Sequence, residues 1–187
     1  MTLISKIGTT SSADAAGFTL IEILVVMMVA AILLATGVPA FNSFIQNDRD
    51  ITQINSLVLS LNYARSEAVK RNVATGITVC PSVDTQTCSG TVWANGWIVT
   101  DQSPAPNPPL QKVAALSGTN TVTATGSPTG VTFLSSGQVA PNVLTTITIC
   151  DPRGAAFARD VEINAAGRVS ASQTPGHSVN GTALTCP

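Results

Sequence analysis

The sequence predicts an α+β chain in which a long N-terminal α-helix, partly transmembrane, packs on an antiparallel β-sheet domain. Three observations predict it. From Ile23 to Asn47 no residue carries a charge. Beyond that stretch apolar residues recur every three or four positions as far as Val69. After Asn72 the period changes, and Gly, Ser, Thr, Val and Ala dominate, the mix of short strands and turns. The organisation this implies is a leader at 1–17, a helix at 18–72 and a β-rich globular domain at 73–187.

The leader holds one lysine, Lys6, and one aspartate, Asp14. The apolar run then opens on a lone acid, Glu22, and is unbroken from Ile23 to Ala35. As a helix the uncharged stretch would extend about 37 Å, enough for a hydrocarbon core of about 30 Å. The transmembrane part therefore covers roughly 20–45. A cleaved secretory signal, cut after Gly37 or Ala40, is the competing reading, but the weakly basic leader and the abutting acid fit it poorly. Lys6 on one side is matched by Arg49 on the other, so flanking charge does not fix orientation. Glu22 needs a reason, because a carboxylate at the centre of a membrane helix costs about 2.5–3.5 kcal/mol. Its place near the helix N-terminus lets the macrodipole offset part of that cost.

Gly37 and Pro39 interrupt the pattern, and a kink or melted turn is expected there. The amphipathic part, at about 48–71, puts Ile51, Ile54, Leu57, Val58, Leu61, Ala64, Ala68 and Val69 on an arc of roughly 140°. Leu59 is an apolar outlier. Arg65 lies inside the arc, so it must snorkel or find a partner beneath the domain. Glu67 and Arg71 are spaced for a helical ion pair in the favourable order.

In the β-rich region strands are expected at Gly76–Cys80, Trp97–Thr100, Gln111–Ala115, Thr119–Ala124, Val131–Leu134, Thr145–Cys150, Arg159–Ile163 and Arg168–Ala171. Asn95-Gly96 signals a turn, and the proline-rich Ser103–Pro109 an exposed loop. Short strands with frequent turns indicate a pair of antiparallel sheets packed on the helix. Four cysteines, Cys80, Cys88, Cys150 and Cys186, follow an export-type segment without a CxxC, which indicates two disulfides and an oxidising compartment. Three pairings are open; Cys80–Cys88 with Cys150–Cys186 is preferred because each joins the nearer partner. Free buried thiols are the bland alternative.

Certain motifs resemble a specific family. Gly17-Phe18-Thr19-Leu20-Ile21-Glu22 resembles the GFTLIE signal of type IV pilins and type II secretion pseudopilins. Tyr63 to Arg71, YARSEAVKR, resembles the signature of FimT/FimU minor pilins and GspH pseudopilins. The NGWIV of Asn95–Val99, the ITICDPRG of Ile147–Gly154 and the VEINAAGR of Val161–Arg168 continue the likeness, while Asp101–Thr146 carries little of it. The resemblance implies cleavage between Gly17 and Phe18 by a prepilin peptidase, N-methylation of Phe18, and retention of the apolar helix. It implies that Glu22 pairs with an N-terminal amine on entering a filament, and that a packed filament extends the helix around Pro39. Implied partners are other major and minor pilins and an inner-membrane assembly platform. The implied place is a bacterial inner membrane, with the C-terminal domain periplasmic and later extracellular in the pilus.

The composition excludes some functions. Nine basic against ten acidic residues make no bulk binder of nucleic acid or of an anionic membrane surface. No catalytic constellation, cofactor motif or metal site is legible; the single histidine, His177, lies in a tail of Pro, Gly and Ser, far from any paired cysteines. Asp84 has too few oxygen-bearing neighbours to argue for calcium. Asp151, Asp160 and Glu162 alternate with Arg153 and Arg159 and read as surface charge pairing. FimT-type relatives that take up DNA carry a GRxR motif; here it is Gly167-Arg168-Val169-Ser170, without the second arginine. If Arg153, Arg159 and Arg168 each met a phosphate, the log–log salt slope would be only about −3. A minor pilin acting near the pilus tip is the better reading, with a DNA receptor, a secretion pseudopilin and an ordinary anchored periplasmic protein as alternatives.

Overall fold

A computed structural model of the chain describes residues 17–101 and 108–186. The leader at 1–16 and most of the expected Ser103–Pro109 loop lie outside them. One helix, α1, runs unbroken over Leu20–Arg71. Of the kink or melted turn expected at Pro39, the melted turn does not occur. Proline removes one N–H from the ladder at a cost of about 3 kcal/mol, whereas unwinding a turn would free several backbone groups beside apolar side chains. Hydroxyls on either side bond back to the backbone, Thr36 to the carbonyls of Ile32 and Leu33 and Ser43 to that of Pro39. The helix ends where Asn72 turns left-handed (φ 52°) and returns its N–H to the Ala68 carbonyl.

The chain divides into two compact units, Met1–Ser43 and Phe44–Pro187, with the division inside α1. In the first unit the described residues are helix almost throughout. In the second, the remainder of α1 buries Asp50, Gln53, Ile54, Leu57, Ser60, Leu61, Ala64, Glu67 and Ala68. This stripe keeps the three- and four-residue spacing but is rotated from the apolar arc. Ile51 and Val69, expected inside, are 42% and 52% exposed, while four polar residues are buried in their stead. Hydrophobicity alone could not locate a face whose polar members have partners waiting for them.

Nine strands follow among the described residues: β1 Ile77–Pro81, β2 Trp97–Asp101, β3 Gln111–Val113, β4 Thr121–Thr125, β5 Val131–Phe133, β6 Val139–Ala140, β7 Thr145–Cys150, β8 Arg159–Ile163 and β9 Val169–Ala171. Eight coincide with expected strands to within two residues. The ninth, β6, is too short to show a period. They form two antiparallel sheets, β3-β2-β1-β5-β6 and β4-β7-β8-β9. Leu57, Leu61 and Ala64 of the helix share one core with Ile77, Val79, Trp97, Phe133, Ile147 and Val161. Trp97 of the NGWIV motif seats its ring there and donates from Nε1 to the buried Ser60 Oγ at 2.9 Å, which ties β2 to the helix. The disulfides are Cys80–Cys88, which closes a short loop, and Cys150–Cys186, which holds the tail to β7.

Candidate anchoring and assembly surfaces

The helix start explains part of the motif that precedes it. Thr19 is the N-cap: its Oγ1 accepts the Glu22 N–H at 3.3 Å, and its carbonyl accepts the same N–H at 3.1 Å. Thr19-Leu20-Ile21-Glu22 is a Thr-x-x-Glu capping sequence, a signal present in the chain but overlooked in the reading of Glu22 as an assembly acid. Gly17 and Phe18 are exposed ahead of it. From Phe18 to Phe41 the unit shows fifteen exposed large apolar side chains. At about 1.5 kcal/mol each, leaving them in water forgoes roughly 20 kcal/mol. Such a helix needs an apolar cover, and by length and composition it can cross a membrane.

In the second unit, charged groups bind the helix to the sheets. Arg153 donates from Nε and a terminal nitrogen to the two oxygens of Asp151, at 2.7 and 2.9 Å, and reaches Asp50 at 3.2 Å. Its guanidinium also lies over the Phe157 ring, 4.1 Å from the centroid. Asn120 donates to both Asp50 Oδ1 and Gln53 Oε1, and Gln53 in turn donates to the Ser117 carbonyl. Burial raises the Asp50 carboxyl above its ordinary value, against the bonds from Asn120 and Arg153. Asp151 is also desolvated, but the hydrogen bonds from Arg153 prevail and hold it below the usual carboxylate range. Farther along α1, Arg65 resolves its place in the apolar arc by donating to the Gly137 carbonyl at 3.1 Å and the Ala166 carbonyl at 3.3 Å. Gly167, at φ +77°, makes that approach possible, since a Cβ there would collide with the Gly137 carbonyl oxygen. Near the end of the helix Arg71 meets Glu67 at 2.6 Å, the pair that the spacing predicts.

The expected surface pairing of Asp151, Asp160 and Glu162 with Arg153 and Arg159 is corrected. Asp151 and Asp160 are buried, and among the described residues only Arg153 pairs with either. Asp160 on β8 is fully buried, and neither carboxylate oxygen has a hydrogen-bond partner among the described residues. Burial drives its carboxyl upward; Ser172 and the Val179 amide ease this without a bond of normal geometry. The three arginines weighed for phosphate are not brought together. Arg153 is engaged by two carboxylates. Arg159 starts β8 and Arg168 precedes β9, so they sit at opposite ends of one hairpin, roughly 15 Å apart at strand spacing. Among the described residues no three of His, Cys, Asp and Glu come together as metal ligands.

An apolar N-terminal helix whose continuation packs on two antiparallel sheets defines a subunit of the pilin and pseudopilin class, a structural protein and not an enzyme. The family model for the type II transport protein GspH matches residues 53–167, and the chain belongs to that family. The prokaryotic N-terminal methylation motif matches residues 13–38. Two solved structures of the type IV minor pilin FimU from Pseudomonas aeruginosa, in different crystal forms, are similar. One is 24% identical, with a TM-score of 0.56, over 70% of this chain and 98% of that one. The other is 25% identical, with a TM-score of 0.52, over 63% of this chain and 88% of that one. No curated protein matches.

Proposed function

We propose that the chain is a minor pilin of a type IV pilus. A peptidase cuts between Gly17 and Phe18, Phe18 is N-methylated, and the helix from Leu20 holds the subunit in the bacterial inner membrane with its β unit in the periplasm. Assembly moves that helix from lipid into the filament near the tip, where the subunit primes or connects other pilins and its β unit becomes extracellular. The observation that carries this reading is the uncovered apolar stretch of helix within the methylation-motif match, with Glu22 in its first turn and no other charge as far as Asn47. Glu22 then supplies a reason to leave the lipid: a carboxylate near the helix start gains a cation only when an N-terminal amine comes beside it. Proline 39 serves the same step by placing one missing backbone bond where the helix can adjust on packing. N-terminal mass spectrometry of the mature chain tests the processing. A methylated Phe18 is the expected result, and an intact Met1 in a host with prepilin peptidase would overturn it.

The GspH match favours a second reading, a minor pseudopilin of type II secretion, in which processing and anchoring are the same. Deleting the gene and scoring piliation and exoprotein release separately decides between the machines. A DNA receptor draws no comparable support, because Arg153 is spent within the fold and the remaining two arginines lie apart.

A further inference from the structure

We propose that the free edge of β9 is a docking site for one extended strand of a neighbouring subunit, with a carboxylate at that strand's C-terminal flank. The register pairs Glu162 with Ser170, flanked by Val161 with Ala171 and Ile163 with Val169. The Asn164 N–H bonds the Arg168 carbonyl at 3.1 Å, and the Ser172 N–H bonds the Asp160 carbonyl at 3.0 Å. Bonded pairs alternate in an antiparallel ladder, so Glu162 and Ser170 are the bonded pair between them. Val169 and Ala171 therefore turn their N–H and C=O groups away from β8. Because β9 ends the sheet, those four groups face outward, and none has a backbone partner among the described residues.

They open on a groove of about 780 Å³ between β9 and the tail around Thr174 and His177. Val169 and Ala171 pack toward the core, so an incoming chain meets backbone and the Ser170 side chain. Alternating donors and acceptors match a polypeptide strand, whereas a phosphate backbone uses donors only. No Phe, Tyr or Trp lines the groove to stack a base. Arg168 is the one charged residue that lines it, and Glu162 lies with Arg168 in the adjoining cleft, outside the groove. Arg168 is exposed and makes no ion pair among the described residues. An antiparallel strand laid along β9 runs its C-terminal end past Arg168, which sets where the carboxylate belongs. Four backbone groups give a weak contact, suited to a neighbour held at high effective concentration rather than to a free ligand. The site lies wholly in the second unit; its occupant rests on the reading of the chain as an assembly subunit, whereas the open edge itself is tested by a free peptide.

The test uses the full chain in dodecylmaltoside micelles, titrated with an acetylated Thr-Val-Thr-Val-Asp peptide amide while backbone amide exchange is followed by NMR. The Val169 and Ala171 amides are expected to slow by about tenfold or more near saturation, and Arg168→Gln to weaken the peptide by about tenfold. A peptide N-methylated at its central residues should lose the effect, a control that does not depend on any variant folding. No slowing at millimolar peptide overturns the proposal. Equal slowing by a peptide ending in Asn overturns the role of the carboxylate. Slowing by a single-stranded oligothymidylate but not by the peptide overturns it in favour of nucleic acid.

Discussion

The Arg65 guanidinium satisfies two carbonyls in turns that end on glycine, and its loss has a definite cost. Arg65→Ala leaves both acceptors without their charged donor and should destabilise the second unit by about 2 kcal/mol in urea denaturation. Arg65→Lys should recover only part of that, because an ammonium cannot span both carbonyls in one plane. Two acids give opposite dependences on pH. The Thr87 and Gln86 amides, then the Thr87 and Ser82 hydroxyls, hold the Asp84 carboxyl far below the usual range. A depressed value means that its contribution is present above the unfolded value of about 3.9 and is lost as pH falls below it. Asp84→Asn should therefore speed amide exchange at Gln86 and Thr87 at pH 7, and differ little from the parent in strong acid. Asp160 is the reverse case. Burial raises its carboxyl, so its own contribution is fully present below a pH of about 3.9 and is lost as pH rises through the folded value. Asp160→Asn should gain on the parent as pH rises, by about 1–2 kcal/mol at neutrality, measured as the difference between two urea curves. A constant difference across pH would show that the carboxyl is not the source.

Among the elements, the tail depends most on a covalent tie. Residues 172–186 add no strand to either sheet, the isolated His177–Ala183 bridge joining the tail only to itself, and Cys150–Cys186 closes the long loop that holds them. On the loop-entropy account this bridge contributes about 4 kcal/mol and the shorter Cys80–Cys88 loop about 2.5. Cys150→Ser with Cys186→Ser should thus lower the urea midpoint more than the matching change at Cys80 and Cys88, with proteolysis starting in the tail. At this scale the sequence was a good guide wherever one period ran long enough. All the strands from Ile77 to Ala171 except β6 were legible because β-branched runs end at glycine, proline or asparagine. The disulfides were legible because nearness in sequence happened to match nearness in the fold. The helix face was misread at Ile51 and Val69, since Asp50, Gln53 and Ser60 are buried against partners distant in sequence, and Glu67 against Lys70 and Arg71 of its own helix. Arg153 was weighed as a surface cation for the same reason: its commitment to Asp50 spans 103 positions. In the assembly motif, Glu22 was legible as an anomaly in an apolar run, and the Thr-x-x-Glu spacing of the cap was legible in the same four residues, although the anomaly drew the reading away from it.

At the scale of the whole chain, two units have opposite preferences for solvent, and that difference is testable without any partner. The second unit holds its own core, from Ile54 and Leu57 through Trp97 to Ile163, and encloses its two tryptophans almost completely. The first offers apolar side chains outward along its described length, with Glu22 as the one charge among its described residues. A chain beginning at Phe44 should therefore partition into the aqueous phase of a cloud-point detergent and still unfold cooperatively. The full chain should follow the detergent. Glu22→Ala should follow the detergent as well, because removing one carboxylate from an apolar helix lowers the cost of lipid residence by about 2 kcal/mol. Its defect should appear only in assembly, as fewer subunits in sheared filaments at unchanged membrane levels. If the Phe44 chain enters the detergent phase, a second apolar surface exists on the folded unit and the division of labour fails. If Glu22→Ala assembles at the parental level, the acid serves the helix start through its capping sequence and not the meeting of subunits.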